Sequence, residues 1–128
     1  MFRDTTGFSS FSSNDIEAAR AFYGDKLGVE TRDGGMGTLE LVLGGGQHVT
    51  IYPKDNHEPA TFTVLNFVVD DVEKAVDELT AAGIKMEQYG IPEMNQDAKG
   101  IARDPRGGPT IAWFTDPAGN TLAVMELP

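Results

Sequence analysis

Two stretches of this chain carry the same pattern, and that repetition restricts the fold more than any other feature. "FSSNDIEAARAFYGDKLGV" from Phe11 lies over "FVVDDVEKAVDELTAAGI" from Phe67, with Phe11, Asp15, Glu17 and Ala19 matching Phe67, Asp71, Glu73 and Ala75. Ile16 meets Val72, and one skipped residue brings Gly28 onto Gly83, an offset of about 56 residues. A chain of 128 residues is therefore read as one domain built from two similar modules, at about 7–55 and 61–128, with a linker at about 54–60.

The local logic is shared. Asn14 and Asp70 are read as helix N-caps, with Glu17 and Glu73 closing capping boxes three residues on. Val72, Ala75, Val76, Leu79 and Ala82 form one apolar stripe, and Ile16, Ala19, Tyr23 and Leu27 form a sparser one. Gly28 and Gly83 stand where a helix ends in a left-handed residue. An alternating run precedes each helix, and three follow: about 29–32, 38–43 and 47–52, then about 84–88, 110–115 and 120–127. "LELVLGGGQHVTIY" reads as a hairpin turning at Gly44–Gly46. No Lys-Ser/Thr and no helix follow the glycines, which argues against a phosphate cradle. The stretch from Tyr89 to Pro109 is long for a connection and is expected to cross a surface or a pocket mouth.

Composition removes several function classes. The net charge of −10 opposes phosphate backbones and anionic lipid, so neither nucleic acid nor a membrane is expected as partner. With no cysteine, there are no disulfides, thiolate nucleophiles or thiolate metal sites. No segment has the apolar core of a signal peptide or a membrane span, so the expected location is cytoplasmic.

A duplicated β-α-β-β-β unit with "DPAGN" before its last strand, carried by "SSNDIEAARAFYGDKLGV" and "IAWFTDPAGNTLAVMEL", resembles the vicinal oxygen chelate superfamily. That group includes glyoxalase I, extradiol dioxygenases and bleomycin-resistance-type binding proteins. The resemblance implies an α+β fold of tandem βαβββ modules forming a cup-shaped mixed sheet with helices outside, commonly in a homodimer. Its enzymes hold a divalent metal with His, Gln and Glu from the first and last strands of each module. Carried over, those positions fall on Phe8 and Val64 in the first strands, and on Thr50 and Ala123 in the last. Only Thr50 offers even a weak donor, and a metal needs three or four. The resemblance thus points to a metal-independent, cofactor-free protein that binds a partly aromatic small molecule. The alternative is a lyase, isomerase or dioxygenase of the same superfamily with displaced ligands.

Period-two alternation sends Val49, Ile51, Leu65, Phe67 and Val69 toward the helices and their neighbours toward the cup. The candidate ligand-binding set is Phe8, Ser10, His48, Thr50, Tyr52, Asn66, Trp113 and Met125, with Ser12, Val64, Val68, Ile111, Thr121 and Ala123 beside them. Each candidate also has a plainer reading. His48 is a ligand-orienting group or base, or a partly exposed strand histidine. Glu40 faces the cup as its acid–base partner, or lies at an exposed edge. Trp113 is pocket wall or core, and Asn66 binds ligand or water. His57 reads as solvated linker, with a relocated metal site of His48, His57 and Glu58 as the alternative. Lys99, Arg103 and Arg106 meet an anionic ligand, or form a solvated loop paired with Asp104. Asp116 is expected to organise its own turn.

Overall fold

The computed structural model describes residues 1–128. The chain forms two compact units, Met1–Glu58 and Pro59–Pro128. In the first, β1 (Ser9–Ser13) leads into α1 (Ile16–Arg20), then β2 (Glu30–Asp33), β3 (Leu39–Val42) and β4 (His48–Pro53). Their sheet order is β1-β4-β3-β2, with β1 and β4 parallel and the other pairs antiparallel. The second unit repeats this topology with β5 (Thr63–Val68), α2 (Val72–Ala81), β6 (Ala102–Arg103), β7 (Thr110–Thr115) and β8 (Thr121–Glu126), in the order β5-β8-β7-β6. The fold is α+β, a tandem of βαβββ modules. No helix is long and apolar enough to cross a membrane.

Both helices start one residue later than the capping-box reading places them. The N-caps are Asp15 and Asp71, in extended geometry, accepting from Ala18 N–H at 3.0 Å and Lys74 N–H at 3.1 Å. Asn14 and Asp70 lie outside, and Glu17 and Glu73 come one position too early to close a box. Other acceptors take the early N–H groups: Ser13 Oγ receives Asp15 N–H, and Glu126 Oε1, from the end of β8, receives Val72 N–H at 2.8 Å. Gly28 and Gly83 end the helical segments at φ 71° and 84°, as expected.

The first helix departs from its stripe as well. After Arg20 it widens into a π turn over Ala21–Lys26, with Leu27 N–H bonded to Phe22 C=O at 3.0 Å. The extra residue in the turn points both Phe22 and Tyr23 into the core, edge to face at 5.1 Å. Leu27 is only half-buried.

The strand expected near 84–88 is absent. Glu87 N–H does donate to Trp113 C=O at 2.9 Å, but Glu87 C=O is taken by the Gln96 side chain, so no ladder propagates. The edge of β7 is paired instead by β6, after Ile101 has buried its side chain completely.

Each sheet buries one face beneath its helix. Leu39, Leu41, Val49 and Ile51 do so under α1, and Ala112, Phe114, Leu122 and Val124 under α2 with Val72, Val76 and Leu79. Each Å² of apolar surface these faces remove from water contributes about 25 cal/mol to folding.

Candidate functional site

The faces turned away from the helices carry most of the candidate polar groups together with Trp113. In the first unit, strand register aligns Ser10, Thr50, Glu40 and Arg32 in one row and His48, Val42 and Glu30 in the next. Glu40 therefore shares the face of Thr50, opposite the buried Leu39 and Leu41. One row apart on adjacent strands, His48 Nδ1 and Glu40 Oε2 lie 3.9 Å from each other, each a little over a third exposed. That is an ion-pair distance for a protonated imidazole and is too long for a hydrogen bond. Phe8, just ahead of β1, is 71% exposed.

His57 is not a freely solvated linker residue. It folds back so that Nδ1 sits 2.6 Å from Ser12 Oγ, while its N–H donates to Lys54 C=O. Ser12, Tyr52, Lys54, Asn56 and Glu58 line a polar cavity of about 400 Å³ there. A second hollow of about 460 Å³ lies by the start of α1, between Arg20, Asp33 and Thr38, away from His48 and Thr50. No three His, Cys, Asp or Glu side chains come together as a metal-ligand set, so His48, His57 and Glu58 do not assemble one.

In the second unit, the register puts Asn66, Ala123 and Trp113 in one row, and Val68, Met125, Ile111 and Ala102 in the next. A bulge between Thr63 and Leu65 falls at Val64. Ala123 is fully buried between its larger neighbours, whereas Trp113 is half-buried. Trp113 meets Tyr89 at a centroid distance of 5.6 Å and an interplanar angle of 71°. Tyr89 opens an irregular segment with no periodicity, so alternation gave no route to it; an aromatic residue in the long loop was the only signal.

That loop is tied down rather than free. Asp97 accepts from Lys99 N–H and Ile101 N–H, both at 2.9 Å, and from Arg103 at 2.7 Å. Burial pushes the Asp97 pKa up, but these donors outweigh it and hold the carboxyl below its ordinary value. Lys99 bonds Glu73 and Asp77 of α2, and Arg103 pairs with Asp97 and Glu73. Lys99 and Arg103 thus pair with acidic groups other than Asp104, whose carboxylate accepts the backbone N–H of Arg106 and whose carbonyl accepts that of Gly107. Asp116 does organise its turn, accepting from Ala118 N–H, Asn120 N–H and the Asn120 amide, each at 2.9 Å.

Two mixed sheets of this topology, each helix-backed on one face, define the βαβββ tandem class. The Glyoxalase/Bleomycin resistance protein/Dioxygenase superfamily model matches residues 9–124, and the chain belongs to that superfamily. Among solved structures, a glyoxalase family protein from Enterococcus faecalis superposes with a TM-score of 0.71 at 24% identity, covering 98% of this chain and 100% of that one. The fosfomycin resistance protein FosX from Listeria monocytogenes gives 0.73 at 12% identity, covering 98% and 94%. Lactoylglutathione lyase from Agrobacterium tumefaciens gives 0.68 at 22%, covering 96% and 93%. No curated protein matches significantly.

The residues at the superfamily's ligand positions do not fit a metal. Phe8, Val64 and Ala123 have no lone pair to offer, and Thr50 brings a single neutral hydroxyl.

Proposed function

We propose that the chain is a metal-independent small-molecule-binding protein of the glyoxalase/bleomycin-resistance type, acting in the cytoplasm as a homodimer on a partly aromatic ligand. The observation that carries this reading is the exchange of metal donors for Phe8, Val64 and Ala123 within a superfamily framework. The proposed contacts are, in the second unit taken by itself, Asn66, Trp113 and Met125 on the sheet face turned from α2, and, in the first unit taken by itself, Phe8, Ser10, His48, Thr50 and Tyr52 on or beside the face turned from α1. Stacking should outweigh charge, because Lys99 and Arg103 already have acidic partners.

A second reading, an acid–base enzyme, is favoured by one observation, the approach of His48 to Glu40. One fold serves both kinds of activity, one structural relative being a fosfomycin resistance protein and another a lactoylglutathione lyase.

Trp113 is the only tryptophan, so its emission reports on the second sheet alone. Planar heteroaromatic ligands should quench that emission, and Trp113→Ala should weaken binding roughly tenfold. Confirmed ligands that bind Trp113→Ala unchanged would refute the site. One transition metal per chain, retained through dialysis, would refute metal independence. Sedimentation equilibrium is expected to return twice the 13.8 kDa chain mass.

A further inference from the structure

Tyr89 and Trp113 make a corner. Their planes lie 71° apart with centroids 5.6 Å from each other, and Tyr89 keeps 41% of its surface exposed. A flat ring laid on one plane turns its edge toward the other, so a single aromatic ligand can make an offset stack and an edge-to-face contact together. A saturated ring of the same carbon skeleton is puckered and lacks the quadrupole, and it obtains neither.

The corner is held from behind. Glu87 N–H is bonded to the carbonyl of Trp113 itself, and Tyr89 N–H donates to Gln96 Oε1 at 2.9 Å. The same amide group spans the loop, with Gln96 Nε2 donating to Glu87 C=O and Gly100 C=O, both at 2.9 Å. Gln88 adds a bond to Asp97 C=O. The Tyr89 backbone is therefore fixed relative to β7 by side-chain clamps. Burial, and then the negative charge of Glu87, raise the phenol's pKa above its ordinary value, so at neutral pH the ring presents an uncharged hydroxyl.

We propose that Tyr89 is a second aromatic wall of the ligand site whose first wall is Trp113, and that the corner selects planar aromatic ligands over saturated ones of equal size. This rests on the ligand-binding reading of Trp113 and adds the residue and the selectivity.

The probes are 2-naphthol and decahydro-2-naphthol, titrated calorimetrically into the full chain. The wild type should prefer 2-naphthol at least tenfold. Tyr89→Phe should keep that preference within twofold, whereas Tyr89→Leu should lose roughly threefold to tenfold in 2-naphthol affinity with little change for the saturated probe. If Tyr89→Leu binds 2-naphthol as well as or better than wild type while Trp113→Ala loses it, Tyr89 is not a wall and only this proposal falls. If the wild type does not bind 2-naphthol, or neither substitution matters, both readings fall. Should Tyr89→Leu fail to fold, wild-type NMR decides: nuclear Overhauser contacts from 2-naphthol to both the Tyr89 and Trp113 rings support the corner, and contacts to Trp113 alone overturn it.

Discussion

Replacing Asp116 with alanine should destabilise the second unit by about 2–4 kcal/mol, and the estimate follows from what the carboxylate holds. Its two oxygens accept three hydrogen bonds, from Ala118 N–H, Asn120 N–H and Asn120 Nδ2, inside a turn where Asp116 is 5% and Asn120 2% exposed. Alanine removes every one of these acceptors. A buried donor left without a partner costs about 1–3 kcal/mol, and water entering the vacated space recovers part of that for the more open Ala118 N–H. Asp116→Asn should cost less, about 1 kcal/mol, because one carbonyl oxygen still takes both backbone donors. The turn also aligns β8 with β7, from Thr115 opposite Thr121 to Trp113 opposite Ala123. Urea unfolding followed by Trp113 emission reads this unit directly. A Trp113 transition within 0.5 kcal/mol of wild type in Asp116→Ala, with an unchanged m-value, would refute the argument.

Gly100→Ala should cost about 1–3 kcal/mol by the same assay: φ is +84°, and an added Cβ would stand 3.1 Å from Glu87 C=O. Gly7→Ala, where a Cβ meets nothing within 4 Å, is the control and should be neutral within about 0.5 kcal/mol. Asp97 has a depressed pKa in the fold, so its contribution is present above the ordinary aspartate value of 3.8 and is lost as pH falls through the lower folded value. The stability gap between wild type and Asp97→Asn should therefore be constant from neutral pH to about pH 5 and shrink below about pH 4, as chemical denaturation at stepped pH would record.

The repeat, the two helices, their glycine ends and the alternation of the strands could be read from the sequence because each signal sits within a few residues. A cap side chain reaches a backbone N–H three residues away, and a strand reverses its side chains at every step, whatever the rest of the chain does. Even these local signals erred by one residue at Asp15 and Asp71, where the neighbouring pairs Asn14–Asp15 and Asp70–Asp71 each offered two side chains able to cap. The absence of donor atoms at Phe8, Val64 and Ala123 was equally legible, being a matter of residue identity alone.

What tertiary structure decided is the set of partners that meet across long stretches of chain. Ser12 and His57 are 45 positions apart, and Lys99 finds Asp77 and Glu73 at separations of 22 and 26. No periodicity links such pairs; the folded backbone brings them together and the lowest-energy arrangement of charges and donors selects among them. Phe22 entered the core because a π turn, invisible to a 3.6-residue stripe, rotated it inward. The expected strand does not form, since the Glu87 carbonyl is bonded to the Gln96 amide instead of to a ladder partner, and β6 pairs the edge of β7. Tyr89 came to stand against Trp113 for the same reason: its place depends on where a non-repeating loop is pinned, and those pins exist only once both ends of the loop have been fixed by the sheet and α2.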